Sequence, residues 1–213
     1  FLQEAWTSLE DAGYASHDLQ GKKCGVFVGC VTGDYLTHLR SEGTEADAYS
    51  LTGNTASILT ARISYFLNLK GASIAVDTAC SSSLVAVHLA CESIRNGDSE
   101  MALAGGVMVF STPELFVLTS RLGGMLSPSD GRCKAFDSRA DGIVLSETVG
   151  VVVLKSLEAA LRDEDHIYGV IVGSGVNQDG KTPGITVPSA FAQTALETEV
   201  YEKYAIDPGT IGY

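Results

Sequence analysis

The chain has 213 residues, of which 45% are hydrophobic and 19% charged, and its formal net charge is −12. That length allows one large domain or two small ones with a proper buried core, and the composition excludes a disordered chain or a coiled coil. No apolar run reaches the length of a membrane span, no basic leader precedes one, and no basic stripe offsets the acidity, so neither a membrane nor a nucleic acid is an expected partner.

In chain order, the apolar stripe at Leu2, Ala5, Trp6 and Leu9 predicts a helix ended by Gly13. Residues 24–30 read as a short buried strand. Asn54 is an expected cap for a helix through Ile58, Leu59, Ile63 and Phe66. A strand over 74–79 leads into a helix over 80–96 with Gly97 as its C-terminal stop. A second buried strand is predicted over 101–110, a long irregular excursion over 112–142, a strand over 149–154, a helix over 157–162 and a strand over 168–173. Fully apolar strands interleaved with helices predict an α/β layered fold with a sheet covered on both faces. No repeat or linker interrupts it.

The five cysteines (24, 30, 80, 91 and 133) are odd in number and lack paired metal spacing, which fits a reducing cytoplasm and no metal. Cys80 stands apart. The β-branched run of Ile74 and Val76 stops at a knot of small residues, Asp77-Thr78-Ala79-Cys80-Ser81-Ser82-Ser83, and restarts as a helical pattern. A thiol in the first turn of a helix meets unpaired N–H groups and the positive end of the dipole, which favour the nucleophilic thiolate. The alternative is a buried structural cysteine, the ordinary fate of a free thiol.

Other motifs fail. Gly173-Ser174-Gly175-Val176-Asn177-Gln178 lacks the third glycine of a dinucleotide fingerprint, and the cysteine turn is not a Gly-x-Ser-x-Gly elbow. A thiolate needs a base or an electropositive partner. His88 lies eight residues along the same helix, about 12 Å of rise away. His17, His38 and His166 read as solvent-exposed. Arg121, Arg132, Lys134 and Arg139 form either a local basic patch or ordinary solvated loop charges.

Asp77-Thr78-Ala79-Cys80-Ser81-Ser82-Ser83-Leu84-Val85-Ala86-Val87-His88-Leu89-Ala90 resembles the active-site signature of the ketosynthase (β-ketoacyl synthase) domain of bacterial modular type I polyketide synthases. Further stretches agree in order, among them Gly53-Asn54-Thr55-Ala56-Ser57, Ala102-Leu103-Ala104-Gly105-Gly106-Val107, Leu126-Ser127-Pro128, Gly131-Arg132-Cys133-Lys134-Ala135-Phe136-Asp137 and Asn177-Gln178-Asp179-Gly180. The wording around Gly71-Ala72-Ser73-Ile74 is similar to synthases whose acyltransferase is supplied in trans.

The resemblance implies a thiolase-like α/β/α/β/α fold, of which 1–163 would be the N-terminal half and 164–213 the start of the C-terminal half of a partial domain. It implies a homodimer with the strand before Cys80 near the dimer interface, and an acyl carrier protein as partner. It implies no separate cofactor, because substrates ride on phosphopantetheine. It implies Cys80 as the catalytic, acyl-carrying residue of a decarboxylative Claisen condensation, completed in the family by two histidines and a lysine C-terminal to the cysteine half. The chain reads as stopping short of the first of these, so it is expected to be a fragment with no condensing activity by itself.

Asp77 and Thr78 are expected to hold the turn, Arg62 to anchor a helix end, and Asp137, Asp141 and Glu147 to brace the site by buried hydrogen bonds. The segment 143–148 and the loops at Gly123-Gly124 and Pro128-Ser129-Asp130 depart from the family pattern. The rival functions are a non-condensing ketosynthase that only transfers acyl chains, a thiolase-type acyl-CoA enzyme, and a purely structural partner protein. The last would be expected to lack the cysteine.

Overall fold

The computed structural model describes residues 1–122, 125–126 and 130–212. The departures expected at Gly123-Gly124 and Pro128-Ser129 lie outside them. The chain divides into two compact units, Phe1–Leu154 and Lys155–Tyr213.

The first unit runs α1 (Leu2–Asp11), α2 (Ser16–Leu19), β1 (Cys24–Gly29), α3 (Tyr35–Ser41), α4 (Ser50–Asn54), α5 (Ala56–Leu67) and β2 (Ser73–Val76). It continues through α6 (Ser82–Arg95), β3 (Met101–Met108), α7 (Glu114–Ser120) and β4 (Thr148–Lys155, the last residue opening the second unit). The strands form one sheet in the order β2-β1-β3-β4. β1 pairs parallel with β2, Gly29 opposite Val76, and parallel with β3, Gly29 opposite Gly106.

The alternation along β1 and β3 fills two cores. Cys24, Val26 and Val28 of β1 and Met101 and Leu103 of β3 pack with Ala5 and Leu9 of α1 and Ile63 and Leu67 of α5. On the opposite face Phe27, Ala102 and Ala104 pack with Ala86 and Ala90 of α6. Alanines on both surfaces let α6 lie close to the sheet. Both faces are covered, as the continuous apolar strands require.

Helix ends follow local chemistry. α6 closes in a Schellman motif: the Gly97 N–H donates to Ile94 O (3.1 Å), the Asp98 N–H donates to Ser93 O (2.9 Å), and Gly97 sits at φ 76°. Asn54 does not cap α5. It is the last residue of α4, and its Nδ2 donates to Ser50 O at 2.8 Å, so Thr55 occupies the cap position. The excursion over 112–142 is not wholly irregular, since it contains α7.

The second unit holds α8 (Leu157–Arg162) and α9 (Ala190–Lys203), each opened by a serine whose Oγ accepts the backbone N–H of the residue three positions on, Ala159 and Ala192 respectively. Lys155 Nζ is held by Asp163 (2.5 Å) and Asp165 (2.6 Å). The strand predicted over 168–173 does not form, although the run is apolar. A strand exists only by pairing, and within the described residues of this unit no extended neighbour pairs with it; Tyr168 and Val172 stay exposed. No described helix is long and apolar enough to cross a membrane.

Candidate active site

Because β1, β2 and β3 run parallel, Gly29, Val76 and Gly106 lie side by side toward the carboxyl ends of the strands, with the turn after Val76 beyond them. That end is where open parallel sheets place their chemistry. Cys80 lies in the turn and is exposed, whereas Cys24, Cys30 and Cys91 are buried. The burial expected of a structural cysteine is thus not found at Cys80.

The turn differs from the expected first turn of a long helix. Cys80 is the middle residue of a 3₁₀ turn, Ala79–Ser81, and the α-helix begins only at Ser82. The cause is Ala79, whose φ of 55° lies in the left-handed region and interrupts any helix there. For a residue with a Cβ this conformation costs about 1–2 kcal/mol, and the surrounding hydrogen bonds offset it. Asp77 Oδ1 accepts the Ala79 N–H at 3.2 Å. Ser81 Oγ donates to Thr78 O (2.9 Å) and meets Thr78 Oγ1 at 3.0 Å. The buried Ser82 Oγ accepts the Thr78 N–H (2.9 Å) and donates to Ala79 O (2.7 Å). Asp77 and Thr78 thus hold the turn, as their residue types suggested.

The helix that follows is seated on two glycines. A Cβ on Gly29 would come within 2.4 Å of the Ser82 carbonyl carbon, and one on Gly106 within 2.7 Å of Ser83 Cβ. Only hydrogen at these two strand positions lets α6 start so near the sheet.

A second cluster fixes the connection after β3. Asp34, just before α3, accepts the Ser111 N–H (2.9 Å), the Thr112 N–H (2.8 Å) and the Thr112 hydroxyl (2.7 Å). The Thr112 hydroxyl, then the Ser111 amide, hold its carboxyl down at about 2. Glu147 Oε1 accepts the Phe110 N–H at 2.7 Å. Phe110 in turn packs edge-on against Phe116 of α7, with ring centroids 4.9 Å apart. Sequence reasoning passed over Asp34, Ser82 and the two seating glycines; the only local signal for Asp34 is an Asp directly ahead of a helix.

The other expectations fare unevenly. Glu147 braces backbone but from an exposed position, and Asp137 pairs with exposed Arg139 (2.7 Å), so neither makes a buried bond. Lys134 is taken up by Asp141 (2.9 Å) and Asp130 (3.1 Å). The four-residue basic patch is therefore neutralised at two of its members. Arg62 Nη2 donates to Thr52 O at 3.3 Å, which ties α5 to α4. His17 and His166 are exposed, His38 and His88 half-buried, and among the described residues no histidine hydrogen-bonds Cys80.

The N-terminal domain profile of β-ketoacyl synthases matches residues 1–160, and the C-terminal domain profile matches 168–213. The chain belongs to the β-ketoacyl synthase family. Its relatives with this ketosynthase sequence include the polyketide synthases PksL and PksM of Bacillus subtilis, 52% and 49% identical over 100% of the chain. The chain covers 5% of the length of each. A phenolphthiocerol/phthiocerol polyketide synthase of Mycobacterium tuberculosis is 46% identical over 100% of the chain, with 14% of its own length covered. Among solved structures, the ketosynthase from module 6 of the bacillaene synthase of Bacillus subtilis superposes with a TM-score of 0.87 at 50% identity. The oxazolomycin ketosynthase domain of Streptomyces albus superposes at 0.90 and 42%. Both superpositions cover the whole chain and, respectively, 36% and 38% of the solved one. The fold is thus the thiolase-like fold of ketosynthase domains, here in a chain spanning somewhat over a third of their length.

Proposed function

We propose that residues 1–213 are part of one ketosynthase domain and that Cys80 is its acyl-carrying nucleophile. The supporting observation is the exposed thiol next to the left-handed Ala79, in a turn clamped by hydrogen bonds beyond the carboxyl ends of parallel strands. In the first half-reaction the Cys80 sulfur attacks the carbonyl carbon of an acyl thioester on a carrier protein's phosphopantetheine. The carbonyl electron pair moves to oxygen, and its return expels the carrier thiolate, leaving the acyl group on Cys80. In the second half-reaction a malonyl thioester loses carbon dioxide, and the resulting enolate carbon attacks the Cys80 thioester. A β-ketoacyl chain two carbons longer leaves on the carrier, and the Cys80 thiolate is regenerated.

Within this reading the Cys80 N–H is one donor to the oxyanion, which needs donors aimed where charge develops. The likeness to the bacillaene ketosynthase supports assigning the chain to synthases with a trans-acting acyltransferase. The exposed edge strand β2, with Ile74 at 39% exposure, supports a homodimer formed along that strand.

The test is intact-mass and peptide mass spectrometry of the native polypeptide that carries these residues, after incubation with an acyl thioester. A single acyl adduct on Cys80, absent from Cys80→Ala, is the expected result. An equal adduct in Cys80→Ala would overturn the assignment.

A further inference from the structure

We propose that Ser82 is a positioning residue whose hydroxyl aims the Cys80 N–H at the oxyanion formed during acylation of Cys80. The inference rests on the acyl-carrying role of Cys80 given above. The three consecutive serines after Cys80 look equivalent in sequence but do different things. Ser81 bonds Thr78 from an exposed position, and Ser83 presents its Cβ to Gly106. Ser82 alone is buried with its hydroxyl inside the turn, at 6% exposure, accepting from the Thr78 N–H and donating to the Ala79 carbonyl.

The Ala79 carbonyl and the Cys80 N–H belong to one peptide plane. In a trans peptide the two point in opposite directions, and the plane is rigid. Ala79 O also accepts the Ser82 N–H, so two donors from one residue pull that carbonyl toward the start of α6. Fixing the carbonyl inward fixes the Cys80 N–H outward, away from the helix. The left-handed Ala79 makes this orientation unlike that of a helix interior, and without the hydroxyl the carbonyl keeps only the Ser82 N–H, so the plane can rock about its two flanking torsions. An oxyanion donor turned away from the developing charge stabilises it less, because the preorganisation is geometric.

Two reactions of the same sulfur separate this role from mere support of the fold. Acyl transfer from a thioester builds negative charge on a carbonyl oxygen, whereas alkylation by iodoacetamide displaces iodide and builds no such charge at the reacting centre. Both rates would be measured on Cys80 in the native polypeptide, for the parent protein, Ser82→Ala, the similar-volume Ser82→Cys and the hydroxyl-keeping Ser82→Thr. We expect acylation to fall by roughly 10- to 100-fold in Ser82→Ala and Ser82→Cys, less than the roughly 100- to 1,000-fold for an oxyanion donor removed outright, because the N–H is misaimed and not lost. Alkylation should change less than about threefold in both, and Ser82→Thr should recover acylation relative to alkylation. Equal losses in the two reactions, or unchanged acylation, would overturn the proposal while leaving Cys80 as the nucleophile. A parent protein that takes no acyl group on Cys80 would instead overturn the underlying assignment, and this inference with it.

Discussion

Gly29, the last residue of β1, lies so close to Ser82, the first of α6, that a methyl group on it would come within 2.4 Å of the Ser82 carbonyl carbon. The nucleophile turn is therefore held from below by a strand about 50 residues earlier as well as by its own hydrogen bonds.

Gly29→Ala is expected to destabilise the protein by about 3 kcal/mol, because the obstructing atoms are backbone and cannot swing aside. It should also slow acylation of Cys80. Gly33→Ala is the control. No atom lies within 4 Å of a Cβ there, so the change should stay within about 0.5 kcal/mol. Urea unfolding of both variants checks this, and similar midpoints for the two would contradict it.

Phe27 is the largest fully buried side chain of the sheet, 2% exposed between β1 and α6. Phe27→Ala should cost about 3–5 kcal/mol. A midpoint shift smaller than that of Gly29→Ala would mean that the face under α6 collapses readily around the cavity.

Asp34 offers a pH signature. Its folded value, about 2, lies below the ordinary 3.8, so its stabilising contribution is complete above about pH 4. As pH falls toward 2 the carboxylate protonates in both states, and the contribution is lost. Asp34→Asn is expected to be less stable than the parent by on the order of 1 kcal/mol at pH 7. That gap should narrow between about pH 4 and pH 2, read by urea unfolding across the range. A constant gap would show that the charge is not what holds Ser111 and Thr112.

The cysteines should divide by burial. Burial pushes the Cys24 thiol up to about 12 and also raises Cys30 and Cys91. Cys80 and Cys133 are exposed. At pH 8, iodoacetamide should label Cys80 and Cys133 in the native protein and reach the other three only after denaturation, as read by peptide mass spectrometry. Early labelling of Cys24 would contradict the packing around β1.

Much of this arrangement was legible in the residues. The buried strands at 24–29 and 101–108, the helices around Ile63 and Ala86, and Cys80 itself all carry local signals: apolar runs, helical spacing, and small residues at a turn. What escaped was set by partners distant in sequence. The apolar run at 168–173 has the composition of a strand, yet pairing decides whether one forms. Asp34 bonds residues 77 and 78 positions later, and no local pattern announces that. Ser81, Ser82 and Ser83 cannot be told apart by residue type, because burial and rotamer give them their separate tasks. The turn at Cys80 has the residue pattern of a helix start, because nothing in an alanine signals a positive φ.

The order of the strands also has a consequence for the making of the protein. β1 precedes both of its partner strands in the chain: Val26 pairs with Ser73, 47 residues on (73 − 26), and Cys24 with Met101, 77 residues on (101 − 24). Until both arrive, six consecutive residues that end fully buried stay open to water on a growing chain. Pairings of such long range are slow to close, and unsatisfied strand edges are sticky in the meantime.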